Sequence, residues 1–252
     1  VLGIGLCIIG EVKFVILLSP IFLAWVWLSP SYVKDVSKVN LKTLLVIVAG
    51  MLLLISLSIV ILAYYYSTAF GGDPSKSSLS IFIDSLSYIF DPNYIMSTGE
   101  LGRFTTFLFW LKNNDLWGLS GTLFGYGLNA PNSGSTVSPG FLNIIYNLIL
   151  DSTSLSMLLW EVGAIGTLLF VSLFIYILKV CQPKPLLRLE QLDQQDLQLL
   201  SFAPAFNAFA ISCLISLPYS QILMITPMLQ FLFYLSLGAS LVIRRTVLRC
   251  VG

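Results

Sequence analysis

The sequence predicts an all-helical protein that crosses a membrane several times, and three observations carry that expectation. The 252 residues are 57% hydrophobic and only 10% charged, with a mean hydropathy of +0.90, far from the balance of a soluble domain. Apolar runs near the length of about 20 residues that a helix needs to cross the hydrocarbon core recur along the chain. Basic residues gather in three of the polar segments between those runs. A net charge of +1 provides no general attraction to nucleic acid. The chain has no histidine, so the commonest general base and zinc ligand is missing. Its four cysteines, Cys7, Cys181, Cys213 and Cys250, are scattered without a metal-ligand spacing, and all four read as packing or idle thiols.

Taken in order, Val1 to Ile9 reads as the end of one span and Val12 to Leu28 as the next, with Glu11 and Lys13 marking a turn at the membrane surface. The alternative is one long kinked helix with an internal Glu-Lys pair, which costs more because ionisable groups inside a span are expensive. Because the chain starts with Val inside an apolar run and lacks a basic leader, it reads as the C-terminal portion of a longer protein; a signal peptide is the weaker alternative. Residues 29–42 are polar, and Leu41 to Tyr66 forms a span that ends in the interfacial cluster Tyr64, Tyr65 and Tyr66. Leu155 to Leu178 is the next clear span. Phe202 to Leu217 and Ile222 to Ile243 form a closing hairpin around Pro218, Tyr219, Ser220 and Gln221. The expectation is therefore about five full spans plus the end of an earlier one. They fall into a first membrane block (1–66), a large extracytoplasmic segment (67–154) and a second membrane block (155–252).

Charge orients this arrangement. Segments 29–42, 179–200 and 244–252 hold nine of the 13 basic residues and four of the 12 acids, and all three fall on one side if the spans alternate as drawn. By the positive-inside rule that side is the cytoplasm, so 67–154 faces out. Within it, Leu79 to Phe90 is amphipathic enough to lie flat in the interface, and Asp91-Pro92 stops it. Ser97 or Thr98 is placed to cap a second helix with Glu100 in its first turn. That helix carries Phe104, Phe107, Leu108 and Leu111 at three-to-four spacing and ends before Asn113-Asn114. Gly125-Tyr126-Gly127 and Asn132-Ser133-Gly134-Ser135 read as turns, and Pro139 starts a third helix through Leu150.

Arg103 is the sharpest single residue. It is the only Arg of the outer segment, and a guanidinium fork matches phosphate geometry. It reads either as a clamp on a diphosphate or as an interfacial Arg that reaches lipid headgroups or pairs with Glu100. The Gly125-Tyr126-Gly127 turn could bring backbone amides close to a phosphate or sugar, with Tyr126 stacked on a sugar ring, although such turns mostly just turn. Trp110 and Trp117 read as interfacial anchors before sugar platforms. Asp151, Ser152 and Glu161 sit near the start of the Leu155 span, and a carboxylate within a span is a functional candidate by default. With no Ser-His-Asp set, no metal cluster and no P-loop, hydrolase, metalloenzyme and ATPase readings lack support.

The order of these features resembles the O-antigen ligase and polymerase superfamily. The features are Gly102-Arg103 with Trp110, then Leu123-Phe124-Gly125-Tyr126-Gly127, then a span opening into Glu161-Val162-Gly163-Ala164-Ile165-Gly166. The resemblance covers about residues 1 to 180. It implies a GT-C-like, all-helical, metal-independent inverting glycosyltransferase of the bacterial inner membrane, acting on undecaprenyl-diphosphate-linked glycans at the outer face. Arg103 matches the family's Arg on the lipid diphosphate, and Lys13 stands where members usually carry a further Arg. Counting back from Gly163-Ala164-Ile165-Gly166 puts Ser152, followed by Thr153, at the position where a ligase carries its proposed activating His. That departure favours a polymerase of O-antigen, capsule or exopolysaccharide repeat units over a ligase. The expected site is thus Arg103, Lys13 and Glu161 as catalytic residues, with Gly125, Tyr126, Gly127 and Ser152 against the substrate. Expected partners are the lipid-linked glycan and the bilayer, with room for a chain-length regulator and none for nucleic acid; no cofactor or metal is expected. A transporter or flippase subunit without chemistry is the rival from another class, but the inverted repeats and broken helix pairs of such proteins are not seen here.

Overall fold

A computed structural model describes most of residues 45–64, residue 89, and residues 91–134, 138–182 and 194–251. The expectations for Val1 to Leu28, including Lys13, for the 29–42 loop and for most of Leu79 to Phe90 lie outside the described residues. So does the whole stretch 183–193. Between 45 and 64 the described residues are helical.

The later elements are α1 (Arg103–Asn113), α2 (Leu119–Phe124), α3 (Phe141–Tyr146), α4 (Ser154–Val180), α5 (Gln194–Ser201), α6 (Ala203–Ser216), α7 (Ile222–Ile225) and α8 (Pro227–Val251). The protein is all-α over its described residues, with two isolated bridges, Ile95 to Leu101 and Glu100 to Ile149, as the extended pairing recorded among them. Two described helices are long and apolar enough to cross a membrane, Ser154–Val180 with 27 residues and Pro227–Val247 with 21. The 14 residues of α6 fall short of the roughly 20 needed, so the first arm of the expected closing hairpin is shorter than its apolar run. Its second arm is interrupted at Thr226, where Pro227 begins α8; a proline is well placed at a helix start because its missing N–H would be unsatisfied there anyway.

The chain divides into two units. One comprises residues 1–85, 183–208 and 242–252; among its described residues, Leu200, Ala203, Ile243 and Val247 form a small core. The other comprises Leu86–Gln182 and Phe209–Leu241 and holds all the candidate residues described below. Helix α4 is its axis. The turn at 217–220 docks on the start of α4, where Ser154 N–H and Leu155 N–H donate to the carbonyls of Ser220 (3.0 Å) and Leu217 (2.9 Å). Thr153 accepts from Ser156 N–H at 3.0 Å and caps the helix. Together these bonds satisfy donors that a helix start leaves open. Further along, Leu158 and Phe174 pack with Ala210, Leu217, Leu223 and Phe233.

Two local expectations are corrected. Ser97 and Thr98 do not cap α1; they form a turn closed by Gly99 N–H on Met96 carbonyl (2.9 Å), and Gly102 is the N-cap. The bridge partners Ile95 and Leu101 hold that segment extended, so Glu100 precedes the helix and Arg103 is its first residue. The third helix is Phe141–Tyr146 alone, because Asn147 turns left-handed (φ 53°) and Ile149 N–H is drawn to Gly99 carbonyl at 2.9 Å. Along the apolar stripe of α1, Phe104 and Leu111 are exposed, and the helix buries Thr105, Thr106 and Trp110.

Candidate functional site

The structure sorts the sequence candidates into two groups along α4. The first lies at its N-terminal end. Arg103 Nη1 donates to the backbone carbonyl of Ser152 and pairs with Glu100 Oε1 at 3.3 Å. A cation at the first helical residue works against the helix dipole by about 0.3–1 kcal/mol, and the carboxylate and carbonyl offset that cost. Arg103 keeps 21% of its side chain exposed and Glu100 29%, so this is a solvated pair worth about 0–1 kcal/mol.

Beneath it, Ser152 is buried, and its Oγ has no hydrogen-bond partner among the described residues. Thr106 Oγ1 approaches Leu150 carbonyl (3.3 Å) and Ser156 Oγ (3.1 Å), which ties α1 to the start of α4. Asp151 is buried as well, and its carboxylate accepts from Ser133 N–H (2.9 Å) and from the Ser133 hydroxyl, whose Oγ lies 2.8 Å from both carboxylate oxygens. Asp151 therefore holds the 132–134 turn, which Gly134 N–H closes on Asn132 Oδ1 at 2.8 Å.

The second group sits where α4 breaks. Gly163 has φ 70° and ψ −174°, so the helix is interrupted there and the carbonyls of Trp160 and Glu161 lose their usual partners. Tyr126 N–H (2.8 Å) and Gly127 N–H (3.0 Å) replace them. The fit is reciprocal: a Cβ on Gly163 would come within 3.0 Å of Leu123 carbonyl and Gly125 N, and one on Gly125 within 3.0 Å of Glu161 carbonyl and Gly163 N. Gly125 also has φ 76°, a conformation that favours glycine. The Glu161 side chain adds a further tie, its Oε1 accepting from Asn129 N–H at 2.8 Å.

This overturns the expectation that Gly125 and Gly127 offer amides to a phosphate. Gly125 N–H donates to Gly121 carbonyl (2.9 Å), and the next two amides bind α4. Tyr126 is likewise no sugar platform. It is 5% exposed, ringed by Trp117, Phe141 and Trp160, and its hydroxyl donates to Asn114 carbonyl at 2.6 Å. Burial raises the Tyr126 and Tyr146 hydroxyls above the ordinary tyrosine range, so both remain protonated donors. Tyr126→Phe is expected to cost about 1 kcal/mol of stability, read as a small drop in thermal midpoint, because Thr122 Oγ1 still donates to the same carbonyl at 3.1 Å. Trp110 is a core residue, whereas Trp117 is 56% exposed and stacks on Phe141 with centroids 5.6 Å apart.

Seven residues separate Ser154 from Glu161, about 10 Å of helix rise. Arg103, Glu100 and Ser152 therefore form one cluster, and Glu161 with the Gly-Tyr-Gly turn forms another. Sequence reasoning found both glycine motifs but missed that each is the other's partner; the clue was Gly163 inside a span, where glycine costs about 1 kcal/mol against alanine unless the backbone needs it. Compared with protein-family models, with curated proteins and with solved structures, the chain finds no match.

Proposed function

We propose that this chain acts as a multi-pass, GT-C-like glycosyltransferase of the bacterial inner membrane. It lengthens a glycan carried on undecaprenyl diphosphate at the outer face. One observation carries the reading: a partly exposed guanidinium, steadied by Glu100 and the Ser152 carbonyl, stands at the start of an apolar helix long enough to span. A diphosphate on a membrane lipid meets the protein at that level. Ser152 Oγ, buried beside it, supplies a further donor or acceptor.

In the transfer, a sugar hydroxyl of the acceptor attacks the anomeric carbon of the donor glycan from the face opposite the diphosphate. The bond from that carbon to the diphosphate oxygen breaks, the diphosphate leaves with the electron pair, and the hydroxyl proton passes to a carboxylate or water. Arg103 offsets the charge that develops on the leaving group. Glu161 and Asp151 are each engaged in holding a loop, which leaves Glu100 as the carboxylate at Arg103. Ser152 stands where the resemblance would place a ligase's histidine, which favours the polymerase over the ligase.

The test is direct. Purified full-length protein incubated with lipid-linked repeat units is expected to yield longer lipid-linked chains and release undecaprenyl diphosphate. Movement of the same material across vesicles without lengthening would sink the enzyme reading in favour of a transporter.

A further inference from the structure

From the way the segment Leu116 to Leu128 docks on α4, we infer that it is immersed in the outer boundary of the bilayer, with acyl chains covering its apolar face. It would thus not lie over the membrane as a soluble loop does. The inference rests on α4 crossing a membrane and is independent of the proposed chemistry.

The depth follows from α4. Lys179 lies in its last turn, and a lysine there marks the inner interface. Sixteen residues separate it from Gly163, about 24 Å of rise, whereas the hydrocarbon core is about 30 Å thick. Gly163 therefore lies about 6 Å inside the outer edge, within the 5–10 Å to which interfacial segments sink. The Gly125-Tyr126-Gly127 turn is bonded to α4 at that level.

Its surface suits the same place. Leu119 (72%), Phe124 (66%), Leu128 (82%) and the stacked Trp117 are exposed, and no residue from 116 to 128 is charged. Polar groups in hydrocarbon must be satisfied internally, and most of the recorded ones here are. The N–H groups of Gly121, Thr122 and Gly125 bond within the segment, and those of Tyr126 and Gly127 bond α4. Each of its three side-chain hydroxyls is also spent: Ser120 donates to Trp117 carbonyl, while Thr122 and Tyr126 donate to Asn114. A loop built for water has no need of such thrift. Asp115 and Lys112, just before it, are exposed and belong at headgroup level. Apolar residues of α4 below Gly163, Leu168 and Leu169, are exposed too and continue the surface downward.

Nitroxide labels at Leu119→Cys, Phe124→Cys and Leu128→Cys test the placement, each in full-length protein whose native cysteines are replaced, reconstituted in phosphatidylethanolamine and phosphatidylglycerol vesicles. Leu168→Cys serves as the lipid reference and Ser97→Cys as the aqueous one. Collision with oxygen is expected to exceed collision with a water-soluble nickel chelate at all three positions, as at Leu168, and the order to reverse at Ser97. Nickel dominance at the three positions would place the segment in water. Low collision with both reagents would show that protein covers it. Either result overturns the proposal.

Discussion

Replacing Gly163 by alanine is expected to be among the most damaging single changes this protein can suffer, costing about 3 kcal/mol or more. Two costs combine. The positive φ at Gly163 is one that residues with a Cβ rarely adopt, worth about 1–2 kcal/mol by itself. The new methyl would also meet Leu123 carbonyl and Gly125 N, which are backbone atoms and cannot swing aside. If α4 instead straightens to relieve the clash, Trp160 and Glu161 recover helical partners and the amides of Tyr126 and Gly127 are left without theirs. Gly238→Ala is the matched control. It lies in α8 with nothing within 4 Å of the added carbon, so it is expected to be neutral or to stabilise by up to about 1 kcal/mol. Thermal midpoints in detergent check both. Equal midpoints for the two variants would mean that the Gly125 and Gly163 interlock carries no stability.

Arg103→Ala is expected to reduce chain extension by about a hundredfold or more, the loss found when one preorganised group on a developing negative charge is removed. Stability should fall by about 1–3 kcal/mol, chiefly from the bond to the Ser152 carbonyl, since the pair with Glu100 is partly solvated. Arg103→Lys retains the charge without the fork and is expected to recover part of the rate. The split between rate and stability is what separates a diphosphate clamp from a mere clasp between α1 and Ser152. Should Arg103→Ala extend chains normally, or lose activity only as far as it loses folded protein, the clamp fails.

Helical class and the long apolar run of α4 were legible because they depend on composition and run length. Leu155 to Leu178 was expected and Ser154–Val180 is found, with Thr153 as the cap. The turn at 217–220 was equally visible from Pro218 and its polar neighbours. Arg103 was visible as the only Arg between residues 67 and 154. Its exact setting was not, because the bridges at Ile95 and Glu100 are contacts between segments that local periodicity does not report. The same limit explains Phe104 and Leu111: a three-to-four stripe defines a face but not what lies opposite it.

By itself, then, the sequence determined that this is an apolar all-helical chain with a polar segment gathered before one long helix. Those properties follow from residue types and their near spacing. Only the tertiary structure decided what the glycines are for. Gly125 and Gly163 are 38 positions apart in the chain, and each is required by the other's backbone. That dependence also decided the fate of Tyr126: once its amide is spent on Trp160 and its ring is enclosed, it is part of the frame. Arg103 was selected in the same way, because the docking of α1 on the start of α4 joins it to Ser152 while leaving a fifth of it open.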